Sequence, residues 1–202
     1  MARLMTGQKS FIEQARREQI VAAAIDVLYE RGFAAASIGA IAERIGVSKG
    51  VISYHFAGKD ELLREVVAHV LAEAGEYMRP RVAAAGSSLD ALQRYVTSNL
   101  EYIDAHRPKI MAFIEITNGM PQGGTEPPPY EEGHREAVGG LQRLLEAGQA
   151  VGEFGEFSAY VVAVSMRASI DALSTLLRED PAMDVRAYGA ELLRLYQRAV
   201  LA

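Results

Sequence analysis

The chain contains no cysteine, so disulfides, thiolate metal sites and cysteine nucleophiles are all excluded and packing alone must hold the fold. The cytoplasm is the default compartment for such a chain. Its four histidines, His55, His69, His106 and His134, are spaced for no metal site. Equally absent are the G-x-S-x-G elbow, the P-loop, the dinucleotide fingerprint and H-E-x-x-H. No catalytic residue, metal or cofactor is therefore assigned, and an enzyme is not expected. Glu131, Glu132 and His134 lie close together, but a solvated helix start accounts for them. The opening MARLMTGQKS has no apolar run of the kind a secretory signal needs. No stretch reads as the roughly 20 apolar residues of a spanning helix, so a soluble cytoplasmic protein without membrane contact is expected.

What is present is core-forming material. Half of the 202 residues are hydrophobic and 23% are charged, which excludes disorder and leaves enough apolar surface for one large domain or for a small domain joined to a larger one. The net charge of −5 is unevenly spread. Residues 1–57 hold 7 basic against 5 acidic side chains, and the remainder holds 14 against 21. A split of this kind fits a chain whose first part meets an anionic partner.

Apolar periodicity is helical throughout, and no segment alternates long enough to compete as a strand. The chain is read as all-α, with about nine helices. Ser10-x-x-Glu13 has capping-box spacing. The first helix then presents Ile20, Ala23, Ala24, Val27 and Leu28 and stops at Arg31-Gly32. Short helices over Ser37–Ile45 and Ser48–Tyr54 flank Gly46-Val47, and a fourth helix runs from Gly58 to Pro80. A fifth carries Leu89, Leu92, Val96, Leu100 and Ile103 and breaks before Pro108. The sixth, Pro108 to Thr117, is apolar nearly all round and belongs inside the protein. Asn118 to Pro129 is a Gly- and Pro-rich loop. Three helices follow, about Tyr130–Val151, Ser158–Glu179 and Asp184–Leu201.

The most specific segment is SIGAIAERIGVSKGVISYHF, residues 37–56. Two short helices crossing steeply need a small residue at the crossing, glycine in the turn and an aliphatic plug on the second helix. Ala42, Gly46 and Ile52 supply these at helix-turn-helix spacing, with Ile38, Ile41, Ile45 and Val47 completing a small core. In that motif the second helix enters the major groove. Ser48 can cap it, and Lys49 can read guanine through O6 and N7. Gly50 permits close backbone approach, and Ser53, Tyr54 and His55 can donate to phosphates. Lys59 can add a further phosphate contact. Without DNA, the same spacing describes a plain helical hairpin.

Ile38-x-x-Ile41-Ala42, Gly46-Val47-Ser48-Lys49-Gly50, Tyr54-His55-Phe56 and Lys59-x-x-Leu62 together closely resemble the TetR family of one-component transcriptional regulators. Arg16 to Phe33 also resembles that family's first helix. The resemblance covers roughly the first third of the chain. It implies a three-helix DNA-binding domain at 1–57 and a helical ligand-binding and dimerisation domain at 58–202. It further implies a repressor that binds a palindromic double-stranded operator as a homodimer and is released by a small-molecule effector. The expected route of release is movement of the fourth helix, whose start abuts the recognition unit. DNA contacts carried over on the matching positions are Ser37, Ser48, Lys49, Gly50, Ser53, Tyr54, His55 and Lys59. Ser53 stands where the family most often has tyrosine, and Gly39 and Ala40 leave the second helix little with which to read bases.

Past residue 70 the only pointers to a pocket are polar residues in apolar helices. Glu115 lies between Ile114 and Ile116, and Tyr95, Asn99, Tyr102, Tyr130 and Arg167 are the other candidate ligand residues. For Tyr95, Asn99 and Tyr102 the alternative is a solvent-facing position, and for Arg167 a simple i,i+4 pair with Asp171. Val161, Val164, Ile170, Leu173, Leu176 and Leu177, with Tyr188, Leu192, Leu195, Tyr196 and Ala199, give the last two helices more apolar surface than one core face uses. A symmetric interface made by these two helices in each subunit would cover the second side. The rival function is a helical architectural DNA-binding or interaction module without ligand control.

Overall fold

The computed structural model describes residues 2–120 and 130–201. Among them the secondary structure is helical: α1 (Ala2–Ala35), α2 (Ile38–Arg44), α3 (Lys49–His55), α4 (Lys59–Ala83), α5 (Ser88–Ala105), α6 (Arg107–Gly119), α7 (Glu131–Ala150), α8 (Ala159–Glu179) and α9 (Val185–Val200). The all-α reading stands, and two compact units divide the chain.

The first unit comprises residues 1–70 with 111–129. Its core is built on the face of α1 expected from periodicity, since Ile20, Ala23, Ala24, Val27 and Leu28 are all buried. Ile41 and Ala42 of α2, Ile52 of α3, Phe56, and Leu62, Leu63 and Val66 of α4 are also buried. The second half of α6 adds Ala112, Ile114 and Ile116. The second unit comprises residues 71–110 and 130–202. Here α5 packs against α7, α8 and α9, and α7 lies along α8. Leu92 and Val96 of α5, Leu141 and Leu145 of α7, Met166, Ile170 and Leu173 of α8, and Val200 of α9 form its center.

Several expectations need correction. Ser10 does not mark a helix start, because it lies inside α1, which starts at Ala2. Ala2, Arg3, Leu4, Met5, Gln8 and Lys9 are strong helix formers, so helix propagates through the serine. Regular geometry does break at Gly32, which has φ 75° and ψ 173°, although helical assignment continues to Ala35. Pro80 lies within α4, not at its end. It sits in the exposed last turn, where the carbonyl it leaves without an N–H partner is open to water. Of the Asn118–Pro129 loop, Asn118 and Gly119 are still helical, and residues 121–129 lie outside the described residues. Finally, α8 is long and apolar enough to cross a membrane by length and composition, with a mean hydropathy of 1.3 over its most apolar window. One side is buried while Val161 and Tyr160 are exposed, and it carries a buried arginine.

Candidate nucleic-acid interface

The helix-turn-helix is assembled by local rules. Ser37 has extended backbone and its Oγ accepts the Ala40 N–H at 3.2 Å, which starts α2. The helix ends at Ile45, and Gly46 takes φ 66°. An L side chain disfavours that left-handed turn, so glycine belongs there. Ser48 occupies the N-cap position of α3 with extended backbone, but its hydroxyl makes no capping hydrogen bond, contrary to the role expected of it. The helix is started by the Ser48 carbonyl, which accepts the Val51 N–H at 3.0 Å, and the hydroxyl stays exposed.

The two faces of α3 are sharply different. Ile52 is fully buried and Phe56, just past the helix, is 1% exposed. Lys49, Gly50, Ser53 and Tyr54 face outward at i, i+4 spacing, with Tyr54 72% exposed. The Lys49 stem lies across Gly39, where a Cβ would come within 2.8 Å of Lys49 Cε. Glycine at 39 thus gives the lysine room. The Tyr54 hydroxyl donates to Glu13 Oε1 at 3.4 Å, and its ring meets His55 edge-on at 5.0 Å. His55 is half-buried. Lys59 is engaged: Nζ donates to the Phe33 carbonyl at 2.9 Å and lies 4.2 Å above the Phe33 ring.

Two arginines that sequence reasoning passed over hold this arrangement. Arg17 donates from Nη1 to the His55 carbonyl at 2.5 Å and from Nη2 to Glu65 at 2.9 Å, with its guanidinium 4.3 Å over the Phe56 ring. It thereby satisfies an end carbonyl of α3 while linking α1 to α4. Arg44 forms a bidentate pair with Glu30 and reaches Asp26, joining α2 to α1. Neither role has a sequence signal, because each partner is distant along the chain.

The six ligand candidates do not share one site. Three meet in the second unit. Arg167, 8% exposed, donates to Asn99 Oδ1 at 2.9 Å, to the Tyr95 hydroxyl at 3.4 Å and to Asp171 Oδ1 at 2.5 Å. His134 Nδ1 lies 3.6 Å from the other Asp171 oxygen. Burial opposes the arginine charge, but Asp171 and Tyr95 more than offset it and hold its pKa above the ordinary value. Asn99 is anchored by donating to the Tyr95 carbonyl at 2.7 Å. Asn99 is thus buried and Tyr95 half-buried, and neither is a solvent-facing residue.

Tyr102 is buried elsewhere on α5, stacked on His106 at 4.2 Å and near Tyr77. Burial, then the charge of Glu73 and a hydrogen bond with it, push its hydroxyl pKa upward. Tyr130 is half-buried at the start of α7 without capping it. Glu115 belongs to the first unit, where Oε2 accepts the Phe33 N–H at 3.0 Å. A cleft of about 380 Å³ in the second unit, lined by Val82, Ser87, Ala91, Leu144, Val151 and Glu153 among others, includes none of the six.

A buried-backed helix with an exposed polar face, preceded by a glycine turn and a capped helix, has the geometry of the helix-turn-helix found in DNA-binding proteins. The family model described as "Bacterial regulatory proteins, tetR family" matches residues 20–66, so it is this segment, about a quarter of the chain, that is similar to the TetR family. The HTH-type transcriptional regulator BetI of Stenotrophomonas maltophilia is 33% identical over 94 residues, 46% of this chain and 48% of that protein. BetI 1 of Chromohalobacter salexigens is 32% identical over 104 residues, 51% of this chain and 52% of its own. The chain thus spans about half the length of the curated relatives it matches. A transcriptional regulator from Saccharomonospora viridis solved in complex with choline has the same fold, with TM-score 0.82 at 20% identity over 93% of this chain and 98% of that one. The fatty acid degradation regulator FadR from Bacillus halodurans superposes with TM-score 0.78 at 21% identity over 89% and 93%. These relatives are regulators, not enzymes.

Proposed function

We propose that this chain is a cytoplasmic repressor that binds a palindromic operator as a homodimer and leaves it when a small molecule binds. The observation that carries the reading is the outward face of α3, where exposed Lys49, Gly50, Ser53 and Tyr54 stand on a helix backed by buried Ile52. Lys49 reads a base edge, while Ser37, Ser48, Ser53, Tyr54 and His55 position the helix on phosphates. Tyr54 must exchange Glu13 for a phosphate oxygen to do so. Residues 1–57 carry the DNA-binding role and residues 58–202 the effector and dimer roles, a division of function that differs from the division into compact units.

The dimer face supported best lies on the last two helices. Tyr160, Val161 and Leu195 are each at least 59% exposed, and Ala168, Ala172 and Ala199 are exposed beside them in sequence pattern. A two-fold interface there covers apolar surface that the core leaves open and presents two reading helices to half-sites one helical turn, about 34–36 Å, apart. For the effector, the Tyr95–Asn99–Arg167 group offers hydrogen-bonding side chains at a buried point of the second unit, and a neighbour of the same fold holds choline. A module without ligand control has one observation in its favour: Arg167 is already fully engaged by Asp171, Asn99 and Tyr95.

Selection of random double-stranded DNA on the purified protein tests the reading. The wild type should recover a palindrome, and Lys49→Ala should lose the sequence preference while keeping the fold and oligomeric state. Recovery of the same palindrome by the variant would remove Lys49 as the reader. No enrichment even at low salt would remove the DNA-binding reading.

A further inference from the structure

Phe33 lies between the regular part of α1 and the start of α2, and contacts from two other helices meet on it. At Gly32 the backbone turns to φ 75° and ψ 173°, which swings the next peptide away from the α1 carbonyls that would otherwise accept its N–H. That N–H goes instead to Glu115 Oε2 on α6, at 3.0 Å. On the other side of the residue, the Phe33 carbonyl accepts Lys59 Nζ of α4 at 2.9 Å, and the same ammonium sits 4.2 Å over the Phe33 ring. The ring itself packs where α6 has Gly119, since a Cβ at that position would run into it. Glu115 also fills the space beside Gly32, where a Cβ would lie 3.3 Å from Oε2. All of these residues belong to the first unit.

We propose that Glu115 and Lys59 are positioning residues for DNA recognition. Together they clamp both polar groups of Phe33 and so fix the elbow from which α2, and through its packing α3, projects. The reason is geometric. Only Ala36 and Ser37 separate α1 from α2, so rotation at the elbow displaces the whole reading unit. Two charge-assisted hydrogen bonds of opposite sign, one to an N–H and one to a carbonyl, hold the residue on both sides, and such bonds are about twice as strong as neutral ones. The assignment changes the roles of two side chains. Glu115 is a structural acceptor for the DNA-reading unit and not an effector ligand, and Lys59 acts through Phe33 and not on a phosphate. It rests on the DNA-binding reading of α3.

The test uses full-length protein, the palindrome recovered by selection as probe, and amide hydrogen exchange as a readout that needs no DNA. Lys59→Met keeps the aliphatic stem and removes the donor, Glu115→Ala removes the acceptor, and Glu115→Gln retains an acceptor oxygen. Lys59→Met and Glu115→Ala should each weaken operator binding about tenfold, the loss expected for one charge-assisted hydrogen bond. Both should speed exchange across residues 32–48 while leaving residues 138–148 of α7 unchanged, and Glu115→Gln should stay near wild type in both readouts. The slope of log affinity against log salt should not move in Lys59→Met. A slope smaller by about 0.9, the value of one lost phosphate contact, with unchanged exchange at 32–48, would overturn the assignment for Lys59. Wild-type exchange at 32–48 in Glu115→Ala would overturn it for Glu115. Absence of any DNA binding by the wild type would refute the DNA reading itself, while the exchange measurement would still decide the clamp.

Discussion

Asp171 is the residue whose removal should expose what the buried Arg167 depends on. The Arg167 side chain is 10% exposed and Asp171 50% exposed, with Nη2 to Oδ1 at 2.5 Å and Nε to the same oxygen at 3.0 Å. Removing one member of a fully buried pair costs about 3–5 kcal/mol, because the survivor is left charged without a counterion. Here the cost must be lower: water reaches the place Asp171 vacates, and Arg167 keeps Asn99 and Tyr95 as acceptors. Asp171→Ala should therefore destabilise by about 2 kcal/mol, or about 4–8 °C in Tm for a chain of this size. Replacing Arg167 by Met in that background removes the stranded charge and should recover at least half of the loss. The assay is a double-mutant cycle by urea denaturation, followed by the far-ultraviolet signal at fixed protein concentration. A cost below about 0.5 kcal/mol for Asp171→Ala, the range of a surface substitution, would refute the argument. So would a double variant less stable than the single one.

Gly46→Ala should cost about 1–2 kcal/mol from left-handed backbone strain alone, since no atom lies within 4 Å of the added Cβ. Gly46→Asn should cost less, and thermal melts of the two variants check the order. Tyr102 has its pKa raised by burial and by Glu73, so folding favours its neutral form. That contribution is complete below the unfolded tyrosine pKa of about 10 and is lost as pH climbs through the folded value. Alkaline unfolding in Tyr102→Phe should lack this component, and a denaturation series above pH ~10 with unchanged steepness in the variant would contradict it. Leu195→Arg places a charge on the exposed apolar face of α9. It should give monomer by sedimentation and weaken operator binding without lowering the melting temperature of the monomer's core; a dimer that persists would move the interface elsewhere.

The parts of this protein that could be read before any coordinates are those governed by nearest neighbours along the chain. Helix type follows from apolar spacing, as with Ile20, Ala24, Val27 and Leu28. The turn follows from Gly46, the start of α2 from Ser37, and the inward plug from Ile52, each needing only a few adjacent residues to define it. The same logic misled where local preference competed with propagation or end effects. Ser10 has a capping-box partner yet sits inside α1, and Pro80 has the marks of a terminator yet leaves one more turn of α4.

What the sequence determined by itself is the class of fold and the helix-turn-helix, because periodicity, capping and turn chemistry act within a few residues. What only the tertiary structure decided is which polar side chain meets which. Glu115 is 82 residues from Phe33, Arg167 is 68 from Asn99, and Arg17 is 38 from His55. A carboxylate between two isoleucines looks the same in sequence whether it awaits a ligand or an amide from a distant turn. Glu115 is half-buried, and only folding brings the Phe33 amide to its carboxylate.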